Sequence, residues 1–170
     1  MPLYLDACAV VKRYVDEGDG GTAVMDAIFA DPSRWGGLSS SEWLLAEVTA
    51  ALAKKYREAA FGGRQFLELW TEFRSDTAAV IDLVDVEPGY VEGAALLLAN
   101  SPGIRFHPGD ALHLYTAEAL RSELTHDVPL VFVTADGGLA RVARAAGLAV
   151  FDPGAEPIEA LAGLFPSDAE

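Results

Sequence analysis

The sequence predicts a single α/β domain built on a parallel sheet that helices cover on both faces. Short apolar segments of strand length alternate along the chain with longer segments of helical periodicity. Strands that are buried on both faces read as such apolar runs, which is typical of a parallel sheet. The length of 170 residues fits one domain, and 51% hydrophobic with 22% charged residues is a globular composition.

The expected elements follow one another in the order that a parallel sheet requires. We expect strands at residues 2–5, 36–40, 79–86, 130–134 and 148–151. We expect helices at residues 7–15, 21–30, 41–56, 63–74, 89–100 and 137–147, and a further helix beginning at Asp110. From Asp152 on, Pro and Gly break the pattern, so the predicted domain covers residues 1–152 and an acidic tail covers residues 153–170.

Two of the helices carry local signals. Ser39 and Glu42 have the spacing of a capping box at the start of the helix over residues 41–56. Aromatic and aliphatic side chains share one face of the next helix, and this face belongs either to the core or to a partner-binding groove. They are Phe66, Leu69, Trp70 and Phe73.

The acidic composition restricts how the chain can bind nucleic acid. A formal net charge of −14, from 26 acidic and 12 basic residues, argues against loose electrostatic binding and favours a basic partner. The acidic net charge stays compatible with a nuclease that has bound cations and a local basic rim. Cations at the ends of two predicted helices are the rim candidates, although they also complement the helix dipole. They are Lys12, Arg13, Lys54, Lys55 and Arg57.

Cysteine and histidine usage excludes some classes of site. The single cysteine, Cys8, excludes an intrachain disulfide and, with no signal-peptide pattern, predicts a cytoplasmic location. No apolar stretch approaches the ~20 residues of a membrane span, so we expect no membrane association. The histidines His107, His113 and His126 lack zinc-ligand spacing.

Four carboxylates lie in apolar surroundings. Asp6 and Asp136 follow predicted strands, and each either caps the next helix or faces the ligand edge of the sheet. Glu47 lies in the middle of an apolar helix, where it is either solvated or buried with a partner. Asp110 either caps its apolar helix or belongs with the other three carboxylates.

If these four carboxylates converge, they require a cation. Two carboxylates about 5 Å apart repel by roughly 3 kcal/mol at an effective dielectric near 20. An all-oxygen acidic cluster suits Mg²⁺ or Mn²⁺ better than zinc. Such a site catalyses phosphoryl chemistry, in which the metal activates water and stabilises charge on the phosphate.

Four segments, in this order and spacing, resemble the PIN-domain ribonucleases, and most of all the VapC-type toxins of bacterial toxin–antitoxin pairs. The segments are YLDACAVVKRY, SSSEWLLAEVTAAL, GDALHLYTAEAL and VFVTADGGLARVARAAGL, each with one of the four carboxylates. The resemblance covers about residues 3–151. It implies a PIN-like three-layer sandwich with a parallel sheet of four or five strands between helices.

The resemblance also implies a function and a site. Asp6, Glu47, Asp110 and Asp136 match the acidic residues that are both the catalytic residues and the ligands of Mg²⁺ or Mn²⁺ in the family. The implied activity is endoribonuclease cleavage of RNA by water, leaving a 5′-phosphate and a 3′-hydroxyl. A type II toxin of this kind has a protein antitoxin as partner and commonly forms a homodimer.

Three supporting residues accompany this set. Thr134 matches a family threonine that orders the site, and His113 lies one helical turn from Asp110, where it either packs or touches the site. Ser41 belongs to a serine run that we assign to capping rather than to nucleophilic attack, because no His–Asp pairing accompanies it. Ala7 and Cys8 depart from the Thr-Ser or Ser-Ser of the family, replacing a hydroxyl by a weaker thiol donor.

Two other functions stay open at this point. A PIN-like protein-interaction module with weak or no catalysis would explain the acidity and the Ala7 and Cys8 departure. A phosphoacceptor signalling domain also clusters aspartates at strand ends. It fits less well, because it leaves Glu47 without a role and no lysine follows a late strand at a suitable place.

Overall fold

The computed structural model describes residues 2–101, 103, 107–124 and 129–165. Its centre is a sheet of five parallel strands in the order β3-β2-β1-β4-β5. The strands are β1 Leu3–Leu5, β2 Leu38–Ser41, β3 Ile81–Val84, β4 Val131–Val133 and β5 Ala149–Phe151. Each lies within or overlaps a segment that the sequence predicts as a strand, and the parallel arrangement is confirmed.

Helices cover both faces of this sheet. Those in the described residues are α1 Ala7–Tyr14, α2 Gly21–Ala30, α3 Leu44–Arg57, α4 Gly63–Val80, α5 Pro88–Asn100, α6 Pro108–Glu123, α7 Gly137–Ala145 and α8 Ile158–Gly163, with a 3-10 helix at Pro32–Trp35. The helix predicted at residues 63–74 continues to Val80, where the backbone changes directly into β3. The three-layer α/β sandwich is therefore confirmed.

The alternating side chains of the central strand β1 divide the core into two halves. Leu3 and Leu5 are fully buried among residues of α1, α2, α3 and α8 on one face. Tyr4 is fully buried on the other face, with residues of α6 and α7. In a parallel sheet the carboxyl ends of all strands lie at one edge, and a ligand site typically forms at that edge.

The capping box predicted from Ser39 and Glu42 is wrong. Ser39 belongs to β2, and its hydroxyl donates to the carbonyl of Leu3 across the strand pair. The Glu42 carboxylate accepts from the backbone N–H of Val86. Pairing of β2 with β1 keeps Ser39 extended, Glu42 lies in the turn that follows β2, and the helix begins only at Leu44.

The aromatic face of α4 is divided between the core and the surface. Phe73 is fully buried, and Phe66 packs against the same core cluster. Trp70 is 38% exposed, and its indole N–H donates to Thr49 of α3 at 3.3 Å. The core interpretation therefore holds for Phe66 and Phe73, and Trp70 lies at the surface.

The chain after Asp152 contributes to the packing. The segment predicted as an acidic tail forms α8, and Leu161 of this helix is fully buried in the core cluster. Residues 166–170 of the predicted tail lie outside the described residues. The division of the chain at residue 152 stays a prediction. None of the helices in the described part of the chain combines the length and apolarity of a membrane span.

Candidate metal centre

The four carboxylates of the sequence analysis line one pocket at the carboxyl edge of the sheet. Asp6 follows β1, Glu47 lies on α3, Asp110 on the first turn of α6, and Asp136 follows β4. The pocket has a volume of about 180 Å³. Its remaining lining is apolar or weakly polar: Ala7, Cys8, Val11 and Ala51. Elements far apart in sequence thus bring four acidic side chains to one place.

Asp6 is buried, and two side chains donate hydrogen bonds to its carboxylate. It is 3% exposed, and it lies at the N-cap position of α1 without making a side-chain capping bond. Its Oδ2 instead accepts from the Thr134 hydroxyl at 2.9 Å and from the Cys8 thiol at 2.6 Å. The capping interpretation of Asp6 is therefore wrong, because its side chain makes no capping bond to α1 and instead lines the acidic pocket.

Thr134 and Cys8 join the ends of the two central strands. The fully buried Thr134 hydroxyl donates to Asp6 and accepts from the Asp136 backbone N–H at 3.1 Å. The Cys8 sulfur lies 3.2 Å from the Thr134 hydroxyl and accepts from the Ala135 N–H at 3.1 Å. Burial and then the charge of Asp6 raise the pKa of the Cys8 thiol, so it stays protonated and donates to Asp6.

Both interpretations of Asp136 hold together. Its Oδ1 accepts from the N–H groups of Gly138 and Leu139 at 2.7 and 2.8 Å, so Asp136 is the N-cap of α7. It also lines the acidic pocket. A carboxylate has enough lone pairs for both roles, because capping uses only one of its two oxygens.

Asp110 lies at the third position of α6 rather than at its N-cap. Its Oδ2 accepts from the backbone N–H of His107, the N-cap residue, at 2.6 Å. Burial raises the pKa of the Asp110 carboxyl; the bond from His107 opposes this, and the charges of Asp6, Asp136 and Glu47 raise it further. Burial is the main cause of this shift, and the neighbouring carboxylates add to it.

Glu47, which the sequence left as either solvated or buried with a partner, has a buried partner. Its side chain is 27% exposed, and its Oε2 lies 2.8 Å from Nε2 of His113, which is fully buried. Burial lowers the pKa of His113, but the bond to Glu47 and the charges of Asp6, Glu47 and Asp110 outweigh burial and raise it. His113 therefore both packs in the core and touches the site.

Two residues that surround the Glu47–His113 pair could not be found from the sequence. Tyr4 looks like one more apolar residue of β1, but its hydroxyl lies 2.9 Å from Nδ1 of His113. Gly109 looks like part of a Pro-Gly turn, but a Cβ there would lie 1.9 Å from Oε1 of Glu47. The only signals available were a tyrosine within an apolar strand and a glycine at the start of an apolar helix.

The remaining supporting and rim residues lie away from the pocket. Ser41 is fully buried, and its hydroxyl accepts from the Trp43 N–H where β2 turns into α3. Lys12 pairs with Glu17 and Asp19, and Lys55 also pairs with Glu17. Arg13 pairs with Asp26 and Asp76, and Lys54 lies 3.9 Å from Glu58. Lys12, Arg13 and Lys55 are thus neutralised by close acidic partners rather than open to an RNA backbone.

The donor set fits a hard divalent cation. Ligand atoms of Asp6, Glu47 and His113 lie within 4.8 Å of one another, and Asp110 and Asp136 line the same pocket. Carboxylate oxygens dominate this set, which suits Mg²⁺ or Mn²⁺. Within the described part of the chain, the pocket lining contains no Lys or Arg to neutralise the carboxylates. The assignment of these four residues as ligands and catalytic groups stays a prediction.

Comparison with solved structures identifies proteins that share this fold. VapBC2 from Rickettsia felis, bound to a DNA fragment from its promoter, has a TM-score of 0.57 at 14% identity, covering 89% of this chain and 98% of that chain. FitAB bound to the IR36 DNA fragment has a TM-score of 0.57 at 19% identity, covering 91% and 97%. FitAcB from Neisseria gonorrhoeae has a TM-score of 0.59 at 18% identity, covering 91% and 99%. No protein-family model and no curated protein matches the sequence.

These likenesses extend over most of both chains, and at such low identities they establish the fold alone. They agree with the parallel five-stranded sheet flanked by helices, and with the VapC-type resemblance of the four sequence segments. The chain therefore has the PIN-like fold that it shares with chains of the VapBC2 and FitAB structures.

Proposed function

We propose that this protein is a metal-dependent endoribonuclease and the toxin of a type II toxin–antitoxin system. One observation carries the catalytic part of the proposal: Asp6, Glu47, Asp110 and Asp136 line one pocket at the carboxyl edge of a parallel sheet. Ligands bind at this edge in open α/β sheets. A cluster of four carboxylates has little purpose there unless it binds a cation.

Asp6, Glu47, Asp110 and Asp136 would hold Mg²⁺ or Mn²⁺. When bound, such an ion supplies an activated water and stabilises the charge that develops on a phosphodiester during in-line displacement. The chain itself fixes the carboxylates in place. Thr134 and Cys8 donate to Asp6, the His107 N–H donates to Asp110, and the start of α7 donates to Asp136.

The charge of the pocket makes a cation necessary for RNA to approach. Four carboxylates line the pocket, and among the described residues no Lys or Arg lines it. A phosphate would be repelled from such a pocket, since like charges a few ångströms apart repel by roughly 3 kcal/mol at an effective dielectric near 20. Binding of RNA and binding of the metal are therefore expected to be coupled.

The toxin part of the proposal rests on the sequence resemblance and on the structures that share the fold. The R. felis VapBC2 and FitAB structures both contain bound DNA fragments. By analogy, we propose a protein antitoxin as the partner of this chain, a homodimer as its own assembly, and the cytoplasm as its location. A basic antitoxin segment would complement the formal charge of −14.

The proposal is tested by cleavage of a mixed tRNA and rRNA pool with purified, antitoxin-free protein. We expect cleavage with Mn²⁺ or Mg²⁺, none with EDTA, and a large loss in the Asp6→Asn variant. Asp82→Asn is the matched control, since Asp82 is exposed on β3 and makes no ion pair among the described residues. Cleavage by Asp6→Asn at the rate of the wild type would contradict the mechanism.

A second function is favoured by a specific observation. Lys12, Arg13 and Lys55, three of the five rim candidates, pair with acidic neighbours, so their charges are not open to an RNA backbone. This supports a catalytically weak PIN-like module that acts by binding another protein. Calorimetry distinguishes the two, because folded protein that binds no Mn²⁺ and cuts no RNA would favour the interaction module.

A further inference from the structure

A chain of buried hydrogen bonds runs behind Glu47 into the centre of the sheet. It begins at the backbone N–H of Ser41, which donates to the Tyr4 hydroxyl at 3.0 Å. The Tyr4 hydroxyl lies 2.9 Å from Nδ1 of His113, and Nε2 of His113 lies 2.8 Å from Oε2 of Glu47. Tyr4, Ser41 and His113 are all fully buried, so water does not compete for these bonds.

The direction of the last bond follows from the chemistry of its two partners. An ionised carboxylate only accepts hydrogen bonds, so the bond to Glu47 requires a proton on Nε2 of His113. This holds for the neutral imidazole and for the imidazolium, because both can carry a proton at Nε2. The lone pair that a metal ion would need at this nitrogen is then absent. The nearness of His113 to Asp6 and Glu47 does not make it a ligand.

The chain is anchored in the buried core of the sheet. The Tyr4 ring stacks on Phe132 of β4, with ring centroids 5.5 Å apart and an interplanar angle of 7°. It also packs edge-on against His113 at 5.8 Å. On its other side the Glu47 carboxylate lies against Gly109, where a Cβ would come within 1.9 Å of Oε1. Glu47 is thus confined between a buried donor and the backbone of α6.

We propose that His113, oriented by Tyr4, is a positioning residue that fixes the Glu47 carboxylate for cation binding and is not itself a ligand. The inference rests on the proposed function, since it assumes that the acidic pocket binds a divalent cation. Groups that orient a metal ligand from behind commonly change metal affinity by about 10- to 100-fold when they are removed. A merely structural histidine would change stability and leave metal affinity unaltered.

The test measures Mn²⁺ affinity by titration calorimetry in variants of this chain of bonds. His113→Leu removes the donor to Glu47, and we expect affinity to fall about 10- to 100-fold. His113→Gln keeps an amide N–H for Glu47, and we expect most of the affinity to return. Tyr4→Phe removes the hydroxyl that fixes the imidazole, and we expect a smaller fall than in His113→Leu.

Matched controls separate positioning from general loss of packing. Thr77→Val removes a buried hydroxyl of α4 that lies outside the lining of the acidic pocket. This hydroxyl donates to the Phe73 carbonyl. Tyr14→Phe removes a buried tyrosine hydroxyl that donates to Asp76, outside the lining of the acidic pocket. Both controls are expected to lower stability while Mn²⁺ affinity stays that of the wild type.

Spectroscopy of the wild-type protein tests the same claim without any variant. In ¹⁵N NMR of the metal-free protein, we expect the protonated nitrogen pattern at Nε2 of His113. In pulsed EPR of the Mn²⁺ complex, we expect no directly coordinated imidazole nitrogen. A coordinated nitrogen from His113, or an unprotonated Nε2, would overturn the proposal even if the His113→Leu variant did not fold.

The outcomes also separate this inference from the proposed function. If the wild type binds Mn²⁺ and His113→Leu binds it equally well, the positioning role is wrong and the metal-dependent function stands. If His113→Gln loses as much affinity as His113→Leu, the donor at Nε2 is not what matters, and the inference fails. If the folded wild type binds no Mn²⁺, the proposed function and the inference fail together.

Discussion

Thr134 donates a hydrogen bond of 2.9 Å to Asp6 and so connects the carboxyl ends of the neighbouring strands β4 and β1. The same hydroxyl accepts from the Asp136 N–H, so one buried oxygen orders two of the four carboxylate-bearing positions. Through this contact the pairing of two strands sets the geometry of the acidic pocket.

Thr134→Val is expected to weaken the site more than the fold. The change leaves Asp6 and the Asp136 N–H each without one partner, which costs about 1–3 kcal/mol for an unsatisfied buried group. We expect Mn²⁺ affinity to fall about 10- to 100-fold. Thr134→Ser keeps the hydroxyl and should retain most of the affinity. Equal affinities of the Val and Ser variants in calorimetry would show that the hydroxyl has no such role.

Gly109→Ala is expected to displace Glu47. A Cβ at this position would lie 1.9 Å from Oε1 and 2.8 Å from Cδ of Glu47, so the carboxylate must move. We expect RNA cleavage and Mn²⁺ binding to be lost while the protein still unfolds cooperatively. Gly89→Ala is the control, because a Cβ at Gly89 of α5 meets nothing within 4 Å. A Gly109→Ala variant as active as Gly89→Ala would contradict the placement of Glu47.

Stability is expected to fall in acid partly through Glu17. Hydrogen bonds from Lys55 and then Lys12 lower the pKa of the Glu17 carboxyl, although its own burial opposes them. Its pKa is therefore lower in the folded state than the unfolded value of about 4.3. The contribution is present above that value and is lost as the pH falls through the folded-state pKa.

In the Glu17→Gln variant, the free energy of unfolding in urea should decrease less steeply as the pH is lowered than it does in the wild type. The effect is expected to stay below about 1 kcal/mol, because the Glu17 side chain is 36% exposed and solvent screens its ion pairs. Glu72→Gln, at an exposed glutamate that forms no ion pair in the described part of the chain, is the control. Parallel curves for Glu17→Gln and the wild type would exclude this contribution.

Cys8 is expected to react slowly with alkylating reagents. Burial and the charge of Asp6 raise the pKa of its thiol, and the thiolate is the reactive form. We expect iodoacetamide at neutral pH to modify the folded protein much more slowly than the urea-unfolded chain. Rapid modification of the folded protein would contradict the raised pKa of the thiol and its bond to Asp6.

The strand-end carboxylates could be predicted from sequence, but the partner of Glu47 could not. Asp6 and Asp136 follow apolar runs, so their placement at one sheet edge follows from parallel topology. The contact of Glu47 with His113 joins residues 66 positions apart and depends on how α3 packs against α6. No local pattern specifies that packing, and sequence therefore left both residues with two interpretations.

The errors of the sequence analysis have the same origin. The capping box at Ser39 has a correct local spacing, but pairing of β2 with β1 keeps that residue in a strand. Lys12 and Arg13 were left open between a basic rim and a helix end, and Asp19 and Asp76, which tertiary structure brings to them, neutralise their charges. Local rules give the element type well, whereas partners across the fold decide the charge of a surface.

The most direct test of the central claim is Mn²⁺ binding by the wild type and by four single variants, measured by titration calorimetry. Asp6→Asn, Glu47→Gln, Asp110→Asn and Asp136→Asn each remove one charge and keep the side-chain size. Asn also caps helices well, so the Asp136 variant keeps the start of α7. We predict that the wild type binds Mn²⁺, that all four variants bind it more weakly, and that Asp82→Asn binds it as the wild type does. Wild-type affinity in all four variants would contradict a cation site built from these carboxylates.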